Sequence, residues 1–254
     1  LIHVNLFGQQ SDWDALRDYC KSQGKHFIVD NAVGLLDRAA GSQDNSDIEV
    51  ISCHHTKPWG VGEGGLMIVN RDDESDIRNL MDFGARLPAS ANPQSFNAKI
   101  SDFSAAAILD RIERMDYWSV FYKMQARRIL SVIEDYDIPL TPLQGSPTTP
   151  LSPRAFVPLI ADHSVDLSSF QNDTLVLRKY YRPLEPTPAS VSSRKLSRIG
   201  GMFTQRKKLD NTQTRFPNAN RLFSRILCLP CNPELREVPS EKLAEVLNKI
   251  LDDR

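Results

Sequence analysis

Two apolar runs, residues 47–53 and 65–70, flank the segment Ser52-Cys53-His54-His55-Thr56-Lys57-Pro58-Trp59-Gly60-Val61-Gly62-Glu63-Gly64-Gly65. Both runs have the length and branched apolar content of strands. Glycines at 60, 62, 64 and 65 permit positive φ and close backbone approach, so the segment reads as a tight hairpin turn into a strand at 66–69. A single lysine, Lys57, sits between the first strand and the glycines.

The rest of the chain frames that hairpin. Residues 1–7 read as a strand, Ser11 and its neighbours as the cap of a helix running to about 23, and residues 26–30 as a second strand ending abruptly in Asp30. A helix over 73–83 is stopped by Gly84, and a loop follows at 87–94. Ser101 and Asp102 open one long helical run to about Tyr136, with Ala105, Ile108, Leu109, Ile112 and Met115 on one stripe. Residues 139–153 form a connector rich in proline, serine and threonine. Strands are predicted at 155–161 and 175–177, helices at 218–225 and 240–251, and residues 183–217 carry no assignable periodicity. Alternating strands and helices predict an α/β fold, a mostly parallel sheet covered by helices, over residues 1–120, followed by a smaller α+β domain over 121–254. Ligands of such sheets gather at the carboxyl ends of strands, where Asp30 and residues 52–57 fall.

Composition narrows the function classes. The 254 residues are 41% hydrophobic, enough to bury a core, and the net charge of −1 argues against a nucleic-acid or anionic-membrane partner. Arg206-Lys207-Lys208 reads as a solvated loop. No apolar run approaches the roughly 20 residues that span a bilayer. The start lacks the basic and small-residue features of a signal peptide, so a cytoplasmic location is expected. The chain opens directly on a strand, without methionine or slack, and is expected to be part of a longer protein. Four cysteines are too few for a disulfide scaffold. Cys228-Leu229-Pro230-Cys231 follows an apolar run, not a helix start, and has no second pair, so neither redox nor zinc use is expected and no metal site is predicted.

The chemistry-bearing residues centre on Lys57. A lysine held against a core loses solvation, its pKa falls, and the free amine becomes a nucleophile able to bond a carbonyl cofactor. Asp30 at the end of an apolar strand needs a partner. It reads either as an Asx-turn or as the acid that keeps a cofactor ring nitrogen protonated. Together the two residues suggest pyridoxal phosphate chemistry. The Ser52 hydroxyl can bond a cofactor phosphate. His54 and His55, taken as extended, would point apart, so a shared metal is not expected. One of the two is expected near the cofactor and the other to be structural. Asn97, just before a helix, reads from the residues alone as a loop or cap.

These residues resemble the DegT/DnrJ/EryC1/StrS family of pyridoxal-phosphate-dependent sugar aminotransferases, which has the fold type I architecture. The residues that match its Ser-x-His-x-x-Lys and Gly-Glu-Gly-Gly patterns are Ser52 to Lys57 and Gly62 to Gly65. Asn97-Ala98-Lys99-Ile100-Ser101-Asp102, Val4-Asn5-Leu6-Phe7-Gly8-Gln9 and the stretch from Phe216-Pro217 to Leu229-Pro230 are similar to further family segments. The resemblance implies that Lys57 is the Schiff-base lysine and proton carrier, and Asp30 the pyridine-nitrogen partner. It further implies that Ser52 is a ligand of the cofactor phosphate and that Asn97 reaches the cofactor phosphate of the other subunit of a homodimer; His54 is the histidine expected beside the cofactor. It implies transfer of an amino group from glutamate or glutamine to a keto sugar nucleotide. Two departures stand out. Val33 occupies a position where the family often has glutamine, and the family's longer amino-terminal part has no counterpart ahead of Leu1. A keto-deoxysugar dehydratase is a second implication, against which Lys57 argues because that branch carries histidine there. A non-catalytic, regulatory cofactor-binding protein of the same fold is a third.

Overall fold

The computed structural model describes residues 1–8, 13–35, 48–69, 71–84, 95–143, 153–168, 170, 175–183 and 216–252. Strands β1 (Ile2–Val4), β2 (Ile28–Asp30), β3 (Ile48–Ser52) and β4 (Gly65–Val69) form one sheet in that order. Helix α1 (Trp13–Ser22) connects β1 to β2. The first three strands are parallel, with Val4 opposite Asp30 and Asp30 opposite Val50. Their carboxyl ends therefore share one edge. Strand β4 returns antiparallel, placing Ser52 opposite Gly65, so the hairpin read from the glycines is present.

Helix α2 (Arg71–Met81) follows the hairpin. The expected single helix from Ser101 to Tyr136 is two, α3 (Asp102–Glu113) and α4 (Met115–Asp135), broken at Arg114 with φ −96° and ψ 21°. Neither proline nor glycine causes the break. The break lies near the change of core: Ile108 and Met115 pack with Ile51, Cys53 and Trp59, whereas Tyr122, Ala126, Ile129 and Ile133 pack in a second cluster. The amino-terminal cap is as expected, with the Ser101 side chain accepting from the Ser104 N–H at 3.2 Å.

The second sheet is antiparallel, in the order β5 (Leu140–Pro142), β6 (Phe156–Ala161), β7 (Ile226–Pro230). Strand β5 lies within the stretch read as a connector, and β7 begins in the apolar run before Cys228 and continues through it to Pro230. The strand expected at 175–177 is absent. Only Arg178 bridges to Cys228, so Leu175 and Leu177 are buried without joining a ladder. The predicted helices appear as α5 (Pro217–Arg225) and α6 (Ser240–Asp252). Residues 184–215, where no periodicity was assignable, lie outside the described residues, as does Arg206-Lys207-Lys208. Among the described residues no helix is long and apolar enough to cross a membrane.

Candidate active site at the strand ends

The shared edge of the parallel strands sets the site. Backbone bonds from Asn5 N to Asp30 O and from Asn31 N to Val50 O, both 2.9 Å, carry the pairing one step past each strand. Asp30 thus stands between the ends of β1 and β3. Its Oδ1 accepts from Ala32 N at 3.2 Å, so the Asx-turn is formed while the second carboxylate oxygen keeps its capacity for a ligand. Beneath it lies a polar trio that sequence reasoning missed. Asn31 Nδ2 donates to Glu49 Oε1 at 2.7 Å and to Gly34 O at 2.8 Å, and Asn5 Nδ2 donates to Asn31 Oδ1 at 2.7 Å. All three side chains are buried. Their signal in the sequence is slight: Asn5 and Glu49 are polar residues within apolar runs, as strand alternation also produces, and Asn31 simply follows Asp30.

The turn carrying Lys57 is fastened throughout. Cys53 N bonds Gly64 O at 2.9 Å and His55 N bonds Gly62 O at 2.8 Å, continuing the hairpin past its strands. Lys57 N donates to His54 O and Gly60 N donates to Lys57 O, each at 2.9 Å. A Cβ on Gly60 would collide with the His54 carbonyl oxygen, and Gly62 has φ +69°, so these two glycines are required by the path. Trp59 is wholly buried, and its Nε1 donates to Ser52 O at 2.7 Å. Arg111 on α3 donates from Nε to Pro58 O at 2.9 Å.

Burial lowers the pKa of the Lys57 amine, and the negative charge of Asp30 opposes the effect without cancelling it. The two residues singled out from sequence are thus near enough to act on one another. The Ser52 Oγ accepts from His54 N at 3.2 Å, leaving its proton free to donate. The imidazoles do not point apart as extended geometry would require. Strand β3 stops at Ser52, residues 55 and 56 turn, and the two rings lie 4.0 Å apart. His54 Nδ1 meets Thr56 Oγ1 at 2.8 Å and its Nε2 lies 3.4 Å from Glu63 Oε1, which pins the neck of the turn. The ligating atoms of His54, His55 and Glu63 fall within 4.8 Å of one another. Asn97 pairs with Asp82 in a β-bridge, and its Oδ1 accepts from Lys99 N at 3.3 Å. It makes no hydrogen bond to Asp30, Ser52 or Lys57 among the described contacts.

Tyr181 is a second residue that sequence reasoning missed. Its ring stacks on Phe7 at 6.0 Å between centroids, and although the residue is 55% exposed, partial desolvation together with Tyr180, Cys228 and Asp30 raises its hydroxyl pKa. A residue from beyond the second sheet's middle strand therefore stands over the carboxyl end of β1. Cys228 and Cys231 are buried free thiols, pushed up to about 11 and about 12 by desolvation, as unreactive thiols are.

Comparison with known proteins converges on one group. Residues 1–250 match the DegT/DnrJ/EryC1/StrS aminotransferase family. The chain is 23% identical over 98% of its length to a Shigella dysenteriae dTDP-4-amino-4,6-dideoxy-D-glucose transaminase, covering 66% of that protein. Among solved structures, DesV of Streptomyces venezuelae, in complex with a ketimine intermediate, superposes with a TM-score of 0.70 at 19% identity over 100% of this chain and 65% of its own. The Bacillus subtilis protein NtdA, with bound cofactor PMP, gives 0.67 at 15% identity over 99% of this chain and 56% of its own. At these identities the structural likeness shows the shared fold, and the chain spans just under two thirds of the first of these relatives.

Proposed function

Because the chain belongs to the DegT/DnrJ/EryC1/StrS aminotransferase family, we propose that it transfers an amino group from glutamate or glutamine to a keto sugar nucleotide, with pyridoxal 5′-phosphate as cofactor. One observation carries this reading: a desolvated lysine amine with a strand-end carboxylate acting on it. The donor set fits the cofactor. Lys57 offers an amine that is easily deprotonated, Asp30 a carboxylate for a ring nitrogen, and Ser52 a free hydroxyl proton for a phosphate. When bound, the cofactor supplies an electron sink for the substrate carbon that loses a proton.

The chain's own residues do the rest. The Lys57 Nζ, depressed by burial, takes and returns that proton at a pH where an ordinary lysine would hold it permanently. Asp30, anchored by its turn, holds the ring's positive charge in place. His54 shapes the turn through Thr56 and Glu63 and stands among the cofactor's neighbours. Asn97, distant in contact from this group, serves the phosphate in the site of a second copy, which makes the working unit a homodimer. Residues 1–120 carry the cofactor and residues 121–254 a smaller domain. The sugar-nucleotide acceptor is supported by the name of the Shigella relative.

Borohydride reduction of the protein with pyridoxal phosphate, followed by peptide mapping, tests this directly. The pyridoxyl group is expected on Lys57, and glutamate is expected to convert the bound aldehyde to the amine. Lys57→Ala should abolish fixation and lower amine formation about 10²–10⁴-fold, as loss of a positioned proton carrier does. Fixation on a different lysine would remove the basis of the reading. Fixation on Lys57 without amine formation by any amino donor would identify a binding protein in place of a transaminase.

A further inference from the structure

The Lys57 turn is held from within by its own backbone and from outside by Arg111. Pro58, the residue after Lys57, has no N–H to offer the turn, so its carbonyl is the backbone group by which it is gripped. Arg111 takes it with Nε at 2.9 Å across 53 residues of sequence. The guanidinium carbon lies 3.3 Å from the centroid of the Trp118 ring, and the group is also hydrogen-bonded to the Tyr122 side chain. A planar fork stacked on an indole and bonded at its other end has little freedom to relax. Trp118 in turn packs against both large hydrophobic clusters, and the helix break at Arg114 lies between Arg111 and Trp118. The grip on Pro58 therefore originates at the seam between the two sheets' cores.

We infer that Arg111 is a positioning residue, which sets where the Lys57 amine stands by holding the Pro58 carbonyl from the α3–α4 junction. The inference rests on Lys57 being the reactive amine. Removing the grip lets the turn lift from the helices and rehydrates the amine. The influences on that amine are its burial and Asp30. Loss of a nearby cation would by itself also favour the protonated amine, so Arg111→Lys, which keeps the charge, isolates the change that comes through the turn.

The test is competitive labelling of lysines in the full chain, without cofactor, by an amine reagent across a pH series, with the Lys57 peptide read by mass. Arg111→Met is expected to move the Lys57 labelling midpoint upward, lowering the neutral-amine fraction at pH 8 by about threefold or more as desolvation is relieved. Arg111→Lys, which keeps the charge and one donor but loses the planar stack, should move it in the same direction by less. A lowered melting temperature with the midpoint unchanged would show Arg111 to be structural only and overturn the inference. Should Arg111→Met not fold, Arg111→Lys decides alone: a raised midpoint supports the inference and an unchanged one overturns it. The labelling needs no bound cofactor, so it reads this point even if borohydride fixes nothing on Lys57 and the functional reading fails.

Discussion

The two sheets solve different problems. Around β5, β6 and β7 the chain builds a continuous apolar core that takes in α4, α6, and Leu175 and Leu177. All five residues of β7 are buried. Arg128 of α4 closes its end by donating to the carbonyls of Leu235 and Val238 and to Ser240 Oγ. The sheet of β1 to β4 has smaller, separate clusters, and it leaves Ile2, Val4, Val50, Leu66 and Met67 exposed. At its functional edge it buries polar side chains, the Asn5–Asn31–Glu49 trio, where the second sheet would place leucine. Stability is concentrated in the region without the chemistry. The region with it accepts desolvated polar groups because they hold strand ends in fixed relation.

Truncating the closed core should show the largest effect on stability. Leu243 on α6 is wholly buried against it, and Leu243→Ala is expected to cost about 2–5 kcal/mol through lost transfer energy and an unfilled cavity. Val50→Ala, on the exposed face of β3, should stay within about 0.5 kcal/mol. Urea denaturation of both variants measures the contrast. Equal costs at the two positions would mean that the first sheet's open face is packed after all.

A smaller effect is expected at the trio. Asn31→Leu fills the space but withdraws the amide from Glu49, Gly34 and Asn5. The loss should be about 1–3 kcal/mol, set by desolvated partners deprived of a bond and not by volume. Among the described residues Asn5 Oδ1 has no hydrogen-bond partner, so within them the arrangement carries a polar cost before any substitution. A neutral Asn31→Leu variant in the same denaturation series would show that apolar packing serves equally well there, and would erase the distinction between the two sheets.

Much of this was legible in the sequence where the signal is local. The glycines of the hairpin, the cap at Ser101 and the abrupt end of an apolar strand at Asp30 each depend on neighbours within a few residues, and the structure has each of them. What escaped depends on tertiary contact. β5 hides among prolines because an edge strand of three residues needs only its partner β6. Leu175 and Leu177 look like a strand because burial gives alternation without a ladder. The break at Arg114 leaves no mark in composition, since neither proline nor glycine stands there. Arg111 and Tyr181 lie far in sequence from the residues they touch. The pairing of His54 with His55 was misjudged because the strand ends at Ser52, one residue before the end of its apolar run, and the chain then turns at 55 and 56.

The smallest effect has the opposite sign, and it sharpens the comparison most. The folded-state pKa of Lys57 is lowered by burial beyond what Asp30 restores. Below that lowered value both folded and unfolded chains carry the proton, and the folded state bears the full cost of a poorly solvated charge. As pH rises from the lowered value to the ordinary lysine value, the unfolded chain holds more protons than the folded one, so stability increases with pH and the cost disappears. Lys57→Met removes the charge while keeping the stem. The variant should therefore melt higher than the parent at neutral pH, and the gap should close as pH approaches the ordinary lysine range. Calorimetric melting temperatures over a pH series, in the absence of cofactor, measure this. A variant that melts lower at neutral pH would mean that attraction to Asp30 outweighs desolvation, and the amine would then be an ordinary ion-paired lysine with no readiness to give up its proton.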